Sequence, residues 1–197
     1  MHVGDCFIRP ALGGRSRSIW KIVSIEGNQC HADLYDFGEQ GIYHYINEPF
    51  GQRRFSTFIP APIESYKRVC QLYDDALLRA QAILKSSLKQ KTEHVEFGTC
   101  LYSESPGYQG VLKLIAQSGD NGMLCDYIHI SNESLSRETI RPGICSLSQY
   151  EDDESKMSID PTVYDKLNKI ITMTCISVQA MVNRIVNETK IKKKSFS

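Results

Sequence analysis

The chain has 197 residues, 41% hydrophobic and 23% charged, with 23 Lys and Arg against 23 Asp and Glu. This is the composition of a folded soluble protein, long enough for one domain or two small ones. A net charge of zero argues against a general polyanion binder, which draws on a positive excess, and no apolar run is long enough to span a bilayer. With no signal peptide at the start, the expected compartment is the cytoplasm.

In chain order, "DCFI" (5–8), "IWKIVSI" (19–25), "QCHADLYD" (29–36) and "GIYHYI" (41–46) alternate or cluster apolar and β-favouring residues and predict strands. Turns such as "LGGRS" (12–16) and "EGN" (26–28) separate them. A helix follows: Ile63, Tyr66, Val69, Cys70, Tyr73, Leu77, Ala80, Ile83, Leu84 and Leu88 recur at three and four, with Pro62 where a first-turn proline is tolerated. "TCLYS" (99–103), "GVLKLIAQ" (110–117) and "MLCDYIHI" (123–130) predict a second set of strands. The acidic "SQYEDDESK" (148–156) leads to a second helix, with Asp160 as N-cap and Pro161 just inside.

The two sets match in order. "VGDCF" (3–7) falls on "FGTCL" (97–101), "IWKIVS" (19–24) on "VLKLIA" (111–116), and "GNQC" (27–30) on "GMLC" (122–125). "SYKRVCQLYDDALLRAQAIL" (65–84) falls on "VYDKLNKIITMTCISVQAMV" (163–182). Such self-similarity predicts a duplication, with a first module plus helix over 1–92 and a second module, helix and basic tail over 93–197. In each, a turn glycine of positive φ and a small buried cysteine explain the repeated G-x-x-C.

A unit with four or five short strands and the pair "WKIVSIEGNQCHADLYD" resembles an SH3-like small barrel of the Tudor or KOW type, at the level of pattern. The resemblance covers about 1–58 and 95–150. It implies an α+β fold of two duplicated SH3-like β-barrel modules, each followed by an amphipathic helix. It also implies binding of peptides, methylated side chains or nucleic acid.

Chemistry-bearing motifs are sparse. The seven cysteines include no C-x-x-C pair, and cysteines and histidines lack metal-ligand spacing, so no disulfide framework, metal or cofactor is expected. No nucleophile elbow, P-loop or dinucleotide fingerprint appears, and no catalytic residue is assigned. Candidate binding residues are Arg15 and Arg17 beside Trp20, Arg53 and Arg54 among Tyr43, Tyr45, Phe50 and Phe55, and Tyr108 at a turn tip. Trp20 is expected in the core. Tyr43 and Tyr45 share one strand face, which would line the core and leave His44 exposed. In the second helix, Leu167, Ile171, Val178, Met181 and Ile185 serve the strands. Ile170, Met173, Ile176 and Val182 are left for the first helix or for a homodimer.

The expected function is therefore non-enzymatic: a protein–protein adaptor or inhibitor, such as a mobile element would use to block a host enzyme or defence complex. The alternatives are a nucleic-acid binder using the first module's basic loops, and a thiol-dependent enzyme.

Overall fold

A computed structural model describes residues 1–9, 17–92, 95–118, 122–140 and 157–194. The strands are β1 (Cys6–Arg9), β2 (Arg17–Glu26), β3 (Gln29–Phe37), β4 (Gly41–Gly51), β5 (Ile59–Ala61), β6 (Lys89–Lys91), β7 (Cys100–Ser105), β8 (Tyr108–Ser118), β9 (Gly122–Ser131), β10 (Ser134–Ile140) and β11 (Met157–Ile159). The helices are α1 (Ile63–Ser86) and α2 (Pro161–Lys194), and a 3-10 turn spans Gln52–Thr57.

The expected pair of closed barrels is corrected. The strands form one open antiparallel sheet in the order β5-β1-β2-β3-β4-β10-β9-β8-β7-β11-β6. Closing a small barrel would require β4 to return to β5. The order instead runs on from β4, and among the described strands β5 pairs with β1 alone. Nor does each strand set own one helix. The chain divides into two compact units, Met1–Asp75 with Met173–Ser197, and Ala76–Thr172, so each helix is divided between both.

In the first unit, the register pairs Phe7 with Trp20, Trp20 with Leu34 and Leu34 with Tyr45, which sets these side chains on one sheet face. There Trp20, Ile22, Cys30, Ala32, Leu34 and Phe55 form a buried cluster, joined by Phe7, Ile25, Phe50 and Phe58. The Trp20 ring lies 4.2 Å from Phe50, 5.4 Å from Phe58 and 5.5 Å from Phe55, and its indole N–H donates to Ser18 Oγ at 2.6 Å. The opposite face carries Cys6, Ile8, Ile19 and Tyr35. Tyr35 meets Tyr66 and Tyr73 of α1 at 5.8 and 5.4 Å. Its 3.6-residue stripe thus covers this second face, with Tyr66, Val69 and Tyr73 buried.

In the second unit, Leu101, Leu112, Leu114 and Cys125 form the equivalent cluster, with Leu112 at the place of Trp20. The local backbone recurs closely. Gly4 (φ 92°) donates to Ile22 O at 2.9 Å, and Gly98 (φ 90°) to Leu114 O at 2.9 Å. Cys6 faces Lys21 and Ala61, and Cys100 faces Lys113 and Ile159. Lys21 lies over the Tyr66 ring at 5.9 Å and Lys113 over Tyr164 at 5.0 Å. A bulge follows Ile22 in one and Leu114 in the other. What recurs is an open strand arrangement, β5-β1-β2-β3-β4 and β11-β7-β8-β9-β10, together with its bends.

The repeated G-x-x-C resolves in part. Gly27 has φ 59° in the β2–β3 turn, as a tight hairpin requires. Gly122 instead opens β9 opposite Ser118. Cys30 and Cys125 are both fully buried.

Candidate functional site

The segment 43–54 builds a strip along the rim of the first unit's core. The register of Leu34 with Tyr45 and Cys30 with Phe50 places Tyr45 and Phe50 on the core side of β4. Between them β4 bulges. Asn47 adopts φ 55°, its N–H donates to Asp33 Oδ1 at 2.9 Å, and its carbonyl lies 3.3 Å from His31 Nδ1. Asparagine is among the few residues that tolerate this left-handed conformation. Beyond the core edge, Tyr45 is 42% exposed, while Tyr43 and Phe50 are half-buried.

The 3-10 turn positions the basic pair. Gln52 anchors its start, with its side-chain amide donating to Gly27 O at 2.9 Å and its backbone N–H to Asn28 O at 3.2 Å. Phe55 then buries against Trp20, Phe58 at 5.0 Å and Phe7 at 5.2 Å. With Phe55 pointing in, Arg53 and Arg54 are turned out to solvent. The Arg54 guanidinium sits 5.6 Å above the Phe50 ring, a cation–π arrangement. Ser56 Oγ donates to Arg53 O at 2.8 Å and holds the turn closed.

At the other end of the strip, Ser18, Asp36 and Tyr43 stand side by side across β2, β3 and β4. Arg9 Nη2 lies 3.5 Å from Asp36 Oδ2, and Asp36 Oδ1 is buried with no hydrogen-bond partner among the described residues. Burial pushes the Tyr45 hydroxyl pKa up, and the charges of Asp36, Tyr43 and Glu48 add to this. The strip is therefore aromatic in its middle, cationic at one end and carries a guanidinium–carboxylate pair at the other. Rings and guanidinium groups so arranged have the chemistry for stacking and for charge-assisted hydrogen bonds.

The other sequence candidates are not gathered here. Arg15 lies outside the described residues. Arg17 opens β2 opposite Phe37, on the face away from Ser18 and Trp20. Tyr108, in the second unit, is 36% exposed and meets His129 edge-on at 5.4 Å. On α2, Met173 and Ile176 are each 54% exposed, whereas Ile170 and Val182 are buried. Trp20 is buried as expected. His44 is not the exposed member of its strand: it stacks on Tyr35 at 4.3 Å, and Tyr45 is the more exposed of the two. The Arg9–Asp36 pair was missed, although a carboxylate two residues beyond the core residue Leu34 was a usable signal.

Among the described residues, Cys6, Cys30, Cys70, Cys100 and Cys125 are free thiols. Burial pushes Cys6 and Cys100 up to about 11. No grouping of three His, Cys, Asp or Glu able to hold a metal ion occurs among the described residues, and no described helix is long and apolar enough to cross a membrane. Comparison of the chain with protein families, curated proteins and solved structures finds no match.

Proposed function

We propose that this protein binds another protein, as an adaptor or inhibitor, through the strip of Tyr43, Tyr45, Phe50, Arg53 and Arg54. The observation that supports this reading is the exposed Tyr45 on the same core rim as an Arg54 pre-stacked on Phe50. Tyrosine and arginine dominate binding hot spots, because each combines a large apolar body with a polar end. Holding Arg54 on a ring and Tyr45 on a strand reduces the rotamer entropy lost on binding. The free thiols suit a reducing compartment, so the cytoplasm is the proposed location. Self-association through Met173 and Ile176 belongs to the same proposal, and sedimentation of Ile176→Glu checks it.

The experiment places a photo-crosslinking residue at position 45, with position 78 as an exposed control, and irradiates cells of the native host. A protein adduct at 45 that is absent at 78, and is lost in Arg54→Ala, supports the reading. A nuclease-sensitive adduct, with binding that falls steeply as salt rises, would replace it with nucleic-acid binding. Equal adducts at both positions, or none, would overturn it.

A further inference from the structure

The second unit holds a polar cleft of its own. The register pairs Glu104 with Gln109 and Gln109 with Ile130, which puts these side chains and Tyr102 on the sheet face of Cys100 and Lys113. Over this floor stand Gln81 and Lys85, four residues apart on one side of α1, and Lys89 just beyond the helix end. Between them lies an open cleft of about 490 Å³. Small-molecule sites span roughly 300–1,000 Å³.

The floor is prearranged. The Tyr102 hydroxyl donates to Glu104 Oε2 at 2.8 Å, and the Gln109 side-chain amide donates to Glu104 Oε1 at 3.1 Å and to the Tyr102 oxygen at 3.0 Å. The Tyr102 hydroxyl and the Gln109 amide hold the Glu104 carboxyl below the usual carboxylate range, and the Lys89 charge adds to this. A carboxylate oxygen accepts more than one hydrogen bond, so each can take a further donor. Lys89 Nζ donates to Leu84 O at 2.6 Å and lies 4.6 Å above the Tyr102 ring, which fixes its position while spending one of its three N–H donors.

The charged residues in the described lining are Lys85, Lys89 and Glu104, two cations and one anion. Their complement is a small molecule with two carboxylates and one ammonium. A simple anion would meet the lysines but bring negative charge against Glu104. Ile130 and Tyr108, also in the lining, offer apolar surface to a short methylene chain. We propose that this cleft binds a free acidic amino acid such as glutamate, its carboxylates at Lys85 and Lys89 and its ammonium at Glu104. The cleft shares no residue with the strip around Tyr45, so either reading can fail without the other.

The probe is L-glutamate, titrated into the intact protein with amide chemical shifts as readout. Saturable shifts of the Glu104 and Gln109 amides are expected. Lys85 is exposed, and Lys85→Gln should weaken binding at least about threefold. Glutarate, which lacks the ammonium, should bind more weakly than glutamate, and Glu104→Gln should remove that difference. A merely cationic patch would instead prefer glutarate, which carries the greater negative charge. Circular dichroism checks that both variants keep the fold. No saturable shift at about 10 mM glutamate, glutarate binding as well as glutamate, or unchanged binding in Lys85→Gln overturns the proposal.

Discussion

Gly110 leaves no room for a side chain, whereas a Cβ at Gly98 or Gly107 of the same unit would meet nothing within 4 Å. It lies on β8 two residues before Leu112, and the Tyr127 phenol lies directly over it. A Cβ at 110 would fall against the Tyr127 hydroxyl and 2.7 Å from Cε2 and Cζ, well inside contact distance. In Gly110→Ala, either the backbone shifts or the Tyr127 ring swings off the Leu101–Leu112–Leu114–Cys125 cluster. Overpacking of this kind costs about 1–3 kcal/mol, and at this chain length each kcal/mol lowers the melting temperature by about 2–4 °C. The first unit already contains the relieved version, since Ser18 and Leu34 occupy the matching register. Gly110→Ser should therefore be as harmful as Gly110→Ala alone, and Tyr127→Leu should recover most of the loss. A cycle of the two single variants and the double variant, read by denaturant midpoint at constant slope, should show coupling of at least about 1 kcal/mol. A neutral Gly110→Ala, or strictly additive effects, would refute the packing argument.

Three further outcomes follow from the same structure. Asp160 Oδ1 accepts the Thr162 N–H at 2.8 Å at the start of α2, so Asp160→Ala should lower stability by about 1 kcal/mol while Asp160→Asn should not, by thermal melting. Cys6 and Cys100 are raised from 9.0 to about 11 by burial, so the fold holds them neutral while the unfolded chain ionises. Their contribution is full below pH 9 and is lost as pH rises to about 11, and the double Cys→Ala variant should flatten this alkaline decline. Cys30 and Cys125, fully buried, should react with a thiol reagent only at the rate of unfolding, so fast labelling in native buffer would contradict their placement.

Much of the local structure was legible. Both helices follow from their periodicity, and the capped start of α2 from Asp160-Pro161. Trp20 and the cysteines in G-x-x-C could be assigned to the interior because their neighbours alternate. The open sheet could not be read this way. Alternation tells which side chains face inward, but not which strand edge meets which, and β5, β6 and β11 have three residues each, too few to show a period. The same gap explains His44 and Tyr45. Their alternation was right, but cover for His44 comes from Tyr35 and, 6.0 Å away, Tyr73 of α1, a contact no strand pattern encodes. In the candidate site, the aromatic–basic segment 43–54 stood out by composition. The outward turn of Arg53 and Arg54 depended on the burial of Phe55, and the Arg9–Asp36 pair on register across three strands.

The division of the chain has a consequence for its synthesis. The first unit consists of Met1–Asp75 and Met173–Ser197, with the whole of Ala76–Thr172 between them. A ribosome adding about 5–20 residues per second takes roughly 5–20 s to make that intervening stretch. During this interval the first strands exist without the segment that completes their unit. The order of birth is thus the reverse of the order of completion: the second unit is whole as soon as Thr172 emerges, and the first must wait for its last piece.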